Sequence, residues 1–207
     1  MTPADRTGVV LAGGFSTRFG EDDKALAAVD GEPMLVRVVD RLGEAVDSVV
    51  VNCRADQREA FETALNRADC STPVEFAIDP TPDQGPLAGI RTAFEGVESE
   101  YTAVVACDMP WVDPALLDGL FERAAGHDAA VPERQDGHLQ PVQAVYRTNT
   151  MRTVATAQLA DDRRSLHDAL GKLDVVVLSA DELPDISMWK SLRDVNTREE
   201  INSFDGG

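Results

Sequence analysis

The sequence has few residues that could build a zinc site or a disulfide framework. It contains three cysteines and three histidines in 207 residues, with no CxxC pair and with the histidines scattered. A zinc protein and a disulfide-stabilised secreted protein are therefore disfavoured. No apolar run approaches the ~20 residues needed to cross a bilayer, and no signal-peptide pattern is present near the start. We therefore expect a cytoplasmic protein in a reducing environment.

Basic residues, and lysines above all, are also scarce. The chain has 19 lysines and arginines against 37 acidic residues, giving a net charge of −18, and its only lysines are Lys24, Lys172 and Lys190. A field of this sign repels nucleic acid and anionic membranes, so neither is expected as a partner. Because the acidic residues are spread along the whole chain, two interpretations stay open: a surface adapted to high salt, or an ordinary acidic enzyme.

Short apolar, β-branched runs alternate with segments of helical periodicity. The runs are typical of strands buried on both faces. They are Gly8–Ala12, Ser48–Asn52, Val74–Ile78, Thr102–Ala106, Ala129–Pro132, Val142–Tyr146 and Val175–Leu178. The predicted helices are Pro33–Gly43, Asp56–Leu65, Leu87–Phe94 and Pro114–Ala124, the last with Asp113 as its N-cap. This alternation predicts the α/β class: a single Rossmann-like, three-layer α/β/α domain with a mostly parallel sheet.

The first strand runs directly into a glycine-rich segment, Leu11-Ala-Gly-Gly-Phe-Ser-Thr-Arg-Phe-Gly20, followed closely by Asp23-Lys-Ala-Leu26. Glycines let a backbone bend tightly and approach a ligand, and backbone N–H groups in such a loop can cradle phosphate oxygens. The GxxxxGK[ST] and GxGxxG patterns are both missing. A plain glycine-rich turn is the alternative. The strand-end position together with Arg18 and Lys24 favours phosphate binding.

The pattern L-A-G-G-x-S-x-R-x-G-x-x-D-K-x-L resembles the signature of the molybdenum cofactor guanylyltransferases and their relatives among the nucleotidyltransferases. Further segments match this family in order and spacing, so that the resemblance spans about residues 7 to 201. These segments are Val49–Asn52, Ile78–Asp79, Gly85–Gly89, Ala106–Pro110 and, near the end, Asp194–Ile201, which is similar to the family's N-V-N-T-P-E-E-L.

The resemblance implies transfer of GMP from GTP to molybdenum-bearing molybdopterin, with pyrophosphate as the second product. It implies a nucleotide-binding part over about 7–130 and an acceptor-side part over about 131–207. Asp108, which follows a buried strand, would hold Mg²⁺, and Arg18 and Lys24 would stabilise charge on the triphosphate. The residues implied to contact GTP are Leu11, Ala12, Gly13, Lys24, Asn52, Asp79 and Asp108. Proteins that deliver or receive the cofactor are further candidate partners.

Two departures from the family pattern leave the substrate open. Asp194 stands where the family often has Asn, and Arg198 replaces the usual Pro. An aspartate at 194 could add a second carboxylate near the magnesium, as in some cytidylyl- and sugar-nucleotidyltransferases, and the sequence does not decide between Asp194 and Asn196 for that site. Leu139–Gln143 either lines the acceptor side or is a partly buried strand. The alternatives are another Mg-dependent nucleotidyltransferase, using CTP or a sugar or lipid phosphate, and a non-catalytic nucleotide- or cofactor-binding module.

The charge distribution generates a prediction about salt. The Debye length is about 30 Å at ~0.01 M salt and about 3 Å at ~1 M, so carboxylates that repel across the whole domain in dilute buffer repel only their neighbours in molar salt. We expect the unfolding temperature to rise with KCl into the molar range. A matched series in a non-ionic osmolyte is the control. A midpoint that is flat or falls with KCl would contradict the salt-adapted interpretation.

Overall fold

The computed structural model describes residues 5–14, 23–179, 182, 186–197 and 200. A seven-stranded sheet forms its centre. The strands of this sheet are β1 (Thr7–Leu11), β4 (Ser48–Cys53), β5 (Val74–Ile78), β6 (Tyr101–Ala106), β7 (Ala129–Pro132), β8 (Gln143–Arg147) and β9 (Val175–Leu178). Two short strands, β2 (Ala28–Val29) and β3 (Glu32–Pro33), pair antiparallel outside it.

The helices are distributed along the chain between these strands. They are α1 (Met34–Gly43), α2 (Arg58–Ala68), α3 (Pro86–Phe94), α4 (Pro114–Ala124), α5 (Thr148–Ala160), α6 (Leu166–Leu170) and α7 (Ile186–Ser191), with a short 3-10 helix at Lys24–Leu26. Within the described residues, no helix is long and apolar enough to cross a membrane.

Helices cover both faces of the sheet, because successive strand residues point to opposite sides. On β1, Val10 belongs to the core that contains residues of α1, α2 and α4, whereas Val9 belongs to the core that contains residues of α3, α5 and α6. On β6, Val105 lies in the same core as Val10, and Val104 lies in the same core as Val9. These residues are fully buried. The two resulting cores explain why the central residues of these strands are apolar in succession instead of alternating with polar ones.

The strand order is β5-β4-β1-β6-β8-β7-β9. β1 is parallel to both β4 and β6, and β4 is parallel to β5. β8 alone runs antiparallel to its neighbours β6 and β7, and β9 is parallel to β7. The chain builds outwards from β1 to β5 on one side and then returns to β6 on the other. The order therefore reverses beside β1, and ligands of open α/β sheets bind beyond the carboxyl ends of the strands at such a point.

The predicted fold class is confirmed, and all seven predicted strands are present within one residue at each end. The predicted helices are present with small differences: Pro33 ends β3 and caps α1 instead of opening it, and Pro86 begins α3 one residue before Leu87. Asp113 caps α4 as predicted, accepting a hydrogen bond from the Ala115 N–H at 2.9 Å. α5, α6 and α7 were not predicted from the sequence. In α5 the buried face includes the polar Thr148 and Gln158, which weakens the apolar period.

Candidate active site

A cleft of about 500 Å³ opens beyond the carboxyl ends of β1, β4, β5 and β6. Its walls come from the loops that follow these strands, from the start of α3 and from the carboxyl-terminal segment. The residues that line it include Leu11–Gly14, Asp23–Ala25, Asn52, Asp79, Asp83–Pro86, Ala106–Asp108, Val142 and Asn196. All the predicted site residues within the described part of the chain therefore lie around one cavity. Arg18 lies outside the described residues.

Backbone hydrogen bonds continue past the strand ends and hold the loops in line. The Ala12 N–H donates to the Asn52 carbonyl at 2.9 Å, and the Cys107 N–H donates to the Leu11 carbonyl at 3.0 Å. The Asp79 N–H donates to the Cys53 carbonyl at 2.9 Å. Each loop thus starts from a position that the sheet register fixes. The functional side chains need no long flexible connection to reach the cleft.

Asn52 and Asp79 form a hydrogen-bonded pair on one wall. Asn52 is 2% exposed, and its Nδ2 donates to Asp79 Oδ1 at 2.8 Å and to the Ala77 carbonyl at 3.2 Å. Two glycines make room for the pair: a Cβ on Gly13 would lie 2.6 Å from Asp79 Oδ2, and one on Gly89 would lie 2.4 Å from Asn52 Oδ1. Glycine is therefore needed at these two positions because each backbone lies close to a side chain of the site.

Lys24 and Asp108 meet on the opposite wall. Lys24 Nζ donates to Asp108 Oδ2 at 2.9 Å and to Asn196 Oδ1 at 3.2 Å. The two charged side chains are 16% and 31% exposed, respectively, so solvent screens their attraction only in part. The Val195 N–H donates to the Asp108 carbonyl at 2.8 Å, which fixes the carboxyl-terminal segment beside β6. Residues 84 and 172 positions away from Lys24 thus meet at its ammonium group.

Asp194, where the sequence departs from the family pattern, is linked to Lys24 through Asn196. Asp194 Oδ2 accepts a hydrogen bond from Asn196 Nδ2 at 2.5 Å, and its Oδ1 is 3.8 Å from Arg134 Nη1. Asn196, and not Asp194, makes the contact with Lys24. The segment Leu139–Gln143 contributes Val142 to the cleft wall.

Asp108 fits a magnesium ion that is shared with a phosphate ligand. Its Oδ2 accepts from Lys24, whereas its Oδ1 accepts no hydrogen bond from a described residue. The described residues contain no group of three or more His, Cys, Asp or Glu side chains that could hold a metal by themselves. Mg²⁺ in nucleotide sites commonly uses one or two carboxylates together with phosphate oxygens and water. Asp108 can supply one such carboxylate.

The two thiols near the cleft are not nucleophiles. Burial raises the pKa of Cys53 to about 11, and the nearby Asp79 adds to the shift. Burial also raises the pKa of Cys107, with a further contribution from the negative charge of Asp108. Because their pKa values are raised, both cysteines stay protonated at neutral pH, whereas the thiolate is the reactive form. The site therefore offers charge and hydrogen bonds rather than a covalent intermediate on sulfur.

Sequence reasoning missed two buried polar residues that touch the glycine-rich segment. Arg54 and Gln57 are 8% and 4% exposed, respectively, and follow β4 in the turn that leads to α2. Both donate hydrogen bonds to backbone carbonyls of Ala12–Gly14. A signal was present, because an arginine directly after a buried strand lies at the same sheet edge as Asn52. The carbonyl groups that Arg54 contacts belong to the backbone, so no residue type in the sequence identifies them.

Comparisons with known proteins identify the family of this chain. Residues 8–176 match the family described as "MobA-like NTP transferase domain". The chain is 43% identical over 197 residues to the probable molybdenum cofactor guanylyltransferase of Natronomonas pharaonis, covering 95% of each protein. It is 38% identical over 200 residues to the protein of the same name from Haloferax mediterranei, covering 96% of this chain and 92% of that protein.

A solved structure shares the fold at low sequence identity. It is that of molybdopterin-guanine dinucleotide biosynthesis protein A from Archaeoglobus fulgidus, with a TM-score of 0.75, 22% identity and 95% of each chain covered. The likeness shows that the two proteins share a fold.

The close approach of α3 to Asn52 generates a prediction. Replacing Gly89 by alanine puts a methyl group against Asn52 Oδ1, so the Asn52–Asp79 pair must move. We expect GTP to bind about tenfold more weakly, a loss of ~1.4 kcal/mol. Isothermal titration calorimetry measures this.

Gly119→Ala is the matched control, because Gly119 is also helical and a Cβ there meets nothing within 4 Å. Each substitution gains helix propensity, so a binding loss confined to Gly89→Ala reflects the site and not the helix. Equal GTP affinity in the two variants would mean that the Asn52–Asp79 geometry does not matter for binding.

Proposed function

Because this chain belongs to the MobA-like NTP transferase family, we propose that it transfers GMP from GTP to the terminal phosphate of molybdenum-bearing molybdopterin. The products are the guanine dinucleotide form of the cofactor and pyrophosphate. The relatives named as probable molybdenum cofactor guanylyltransferases support this reaction class.

The observation that carries the proposal is the meeting of Lys24, Asp108 and the glycine-rich segment at one end of the cleft. A lysine ammonium group and backbone N–H groups bind phosphate oxygens, and a carboxylate beside them can hold the cation that accompanies a triphosphate. The chain has only three lysines, and one of them lies here. A nucleoside triphosphate satisfies all these groups together.

The opposite wall suits the nucleoside. Leu11 and Ala12 offer an apolar surface and backbone groups, while Asn52 and Asp79 offer polar atoms beside it. Guanine presents N–H donors on its base-pairing edge, and a carboxylate is an acceptor for such donors. We assign the nucleoside to this wall and the triphosphate to the wall with Gly13, Lys24 and Asp108.

The chemical step is a displacement at the α-phosphorus. An oxygen of the acceptor's terminal phosphate attacks in line, the new P–O bond forms, and the bond from the α-phosphorus to the bridging oxygen of pyrophosphate breaks. The attacking phosphate is already ionised at neutral pH, so no general base is required. Catalysis then comes from orientation and from charge stabilisation by Lys24 and Arg18.

Nucleotidyltransferases of this family generally use a divalent metal, and we propose Mg²⁺ held by Asp108. When bound, Mg²⁺ offsets negative charge on phosphate oxygens. Asp108 lines the cleft, and Lys24 donates a hydrogen bond to its Oδ2. The lysine thereby fixes the orientation of the carboxylate.

The decisive experiment measures pyrophosphate release by the purified protein with each of four nucleoside triphosphates, with and without molybdenum-bearing molybdopterin. The proposal expects release with GTP that depends on the acceptor. Acceptor-dependent release with CTP instead would identify a cytidylyltransferase. Release from none of the four would favour the non-catalytic binding module.

Asp108→Asn tests the metal assignment. The substitution keeps the shape of the side chain and removes its negative charge, so we expect turnover to fall by at least about a hundredfold, by analogy with loss of one charge-stabilising group. Binding of GTP without Mg²⁺ should not weaken. Asp168→Asn, on the exposed side of α6, is the control. An Asp108→Asn enzyme with normal turnover at limiting Mg²⁺ would show that the metal is held elsewhere.

Lys24→Ala tests the phosphate wall. The ammonium group faces phosphates and not the nucleoside, so we expect the affinity for GTP to fall about tenfold or more while guanosine binds as before. Lys172→Ala removes an exposed lysine outside the cleft and is the control for the loss of charge. Equal losses for GTP and guanosine would indicate that Lys24 has a structural role.

A further inference from the structure

The turn between β4 and α2, residues 54–57, packs against the glycine-rich segment on the side away from the cleft. Arg54 and Gln57 are its buried members, and the backbone N–H of Arg54 donates to Gln57 Oε1 at 2.9 Å. Asp56 accepts two hydrogen bonds from the Arg54 guanidinium, one from Nε at 3.2 Å and one from Nη2 at 3.1 Å. These bonds fix the plane of the guanidinium and the orientation of the Gln57 amide.

Three consecutive carbonyl groups of the glycine-rich segment point at this turn. Arg54 Nη1 donates to the Gly13 carbonyl at 3.2 Å and to the Gly14 carbonyl at 2.9 Å. Gln57 Nε2 donates to the Ala12 carbonyl at 3.1 Å. The buried side chains therefore take up the acceptor side of the peptide groups at residues 12, 13 and 14.

The trans peptide then determines where the N–H groups point. In a planar trans peptide the C=O of one residue and the N–H of the next are antiparallel. Since the Ala12 and Gly13 carbonyls face the turn, the N–H groups of Gly13 and Gly14 face away from it. Neither N–H donates to a described residue, and both glycines line the cleft. Successive backbone N–H groups that face a cleft can bind an anion.

The same turn also contacts Asp23, which follows the glycine-rich segment and directly precedes Lys24. Gln57 Nε2 donates to Asp23 Oδ2 at 2.6 Å, and Arg54 Nη2 lies 3.9 Å from the same oxygen. Asp23 Oδ1 in turn accepts from the Ala25 N–H at 3.0 Å and so caps the 3-10 helix that carries Lys24. One amide group, that of Gln57, thus joins both flanks of the glycine-rich segment.

We propose that Arg54 and Gln57 are positioning residues that aim the Gly13 and Gly14 N–H groups and the Lys24 ammonium at the triphosphate of the donor nucleotide; this inference rests on the function proposed above. Arg54 acts through the backbone and not by direct attraction of phosphate. Asp56 and Asp23 offset its charge, and its hydrogen bonds to Gly13 and Gly14 are to their carbonyl oxygens.

The test compares the dissociation constants of GTP and guanosine, in Mg²⁺ buffer, for the full-length protein and for Arg54→Lys, Arg54→Met and Gln57→Leu. The ratio of the guanosine constant to the GTP constant isolates what the phosphates contribute. We expect this ratio to fall about tenfold in all three variants, a loss of ~1.4 kcal/mol, while guanosine binds within about twofold of the unsubstituted protein. Arg54→Lys keeps the charge but cannot bridge two carbonyls and Asp56 together.

Arg58→Met is the matched control. Arg58 is an exposed arginine four positions on, whose guanidinium lies 5.8 Å from the centre of the Phe76 ring. Its removal should leave the ratio unchanged. Melting temperatures of all variants show whether each one folds, and Gln57→Leu keeps the test available if an Arg54 variant does not.

The outcomes separate this inference from the proposed function. An unsubstituted protein that binds no nucleoside triphosphate overturns both. A protein that binds GTP normally, with an unchanged ratio in the folded variants, overturns the positioning role alone. Equal losses for GTP and guanosine also overturn it, because they indicate general damage to the cleft. Normal binding by Arg54→Lys beside a loss in Arg54→Met would assign the effect to charge and not to orientation.

Discussion

The structure depends on the pairing of β1 with two parallel neighbours in the same register. Val10 lies opposite Val51 of β4 and Val105 of β6, so the three strands end at the same level. Asn52, near the end of β4, and Asp108, just after β6, then lie on either side of β1. The bonds that extend the ladder, from Ala12 to Asn52 and from Cys107 to Leu11, carry this alignment into the loops. A shift of one residue in either pairing would move one wall by one strand residue, about 3.3 Å.

Cations are scarce in this chain, and those near the cleft are matched by carboxylates. Lys24 contacts Asp108, and Arg54 contacts Asp56. In the free protein these pairs limit the cost of holding partly buried charge. On the proposed reaction the two pairs behave differently. A triphosphate and its cation can draw Lys24 and Asp108 apart towards separate partners, whereas Arg54 keeps its partners because they lie behind the glycine-rich segment.

Much of the fold and part of the site could be predicted from the sequence. Strands buried on both faces leave continuous apolar runs, and Asn52 and Asp79 are marked because the first ends such a run and the second directly follows one. Arg54 lies at a predicted strand end, but its role and that of Gln57 could not be assigned, because the carbonyl groups of residues 12–14 that they contact are present whatever the residue type. Nor could the contact of Asn196 with Lys24, which joins positions 172 residues apart. A contact between two positions so far apart leaves no pattern in the residues that lie between them.

The carboxyl-terminal segment reaches the cleft because buried side chains hold it there. Val195 packs with Val29, Met34 and Trp111 in a small cluster beside the main cores. The Gln140 side chain donates to the Leu192 carbonyl at 3.3 Å, and both groups are buried. A buried carbonyl left without a donor costs about 1–3 kcal/mol, so this bond favours one docked position for the segment. The wall of the cleft that contains Asn196 therefore depends on the packing of the second half of the chain. In the proposed reaction, the second half of the chain would bind the acceptor. A movement of the carboxyl-terminal segment would therefore displace Asn196 and change its contact with Lys24.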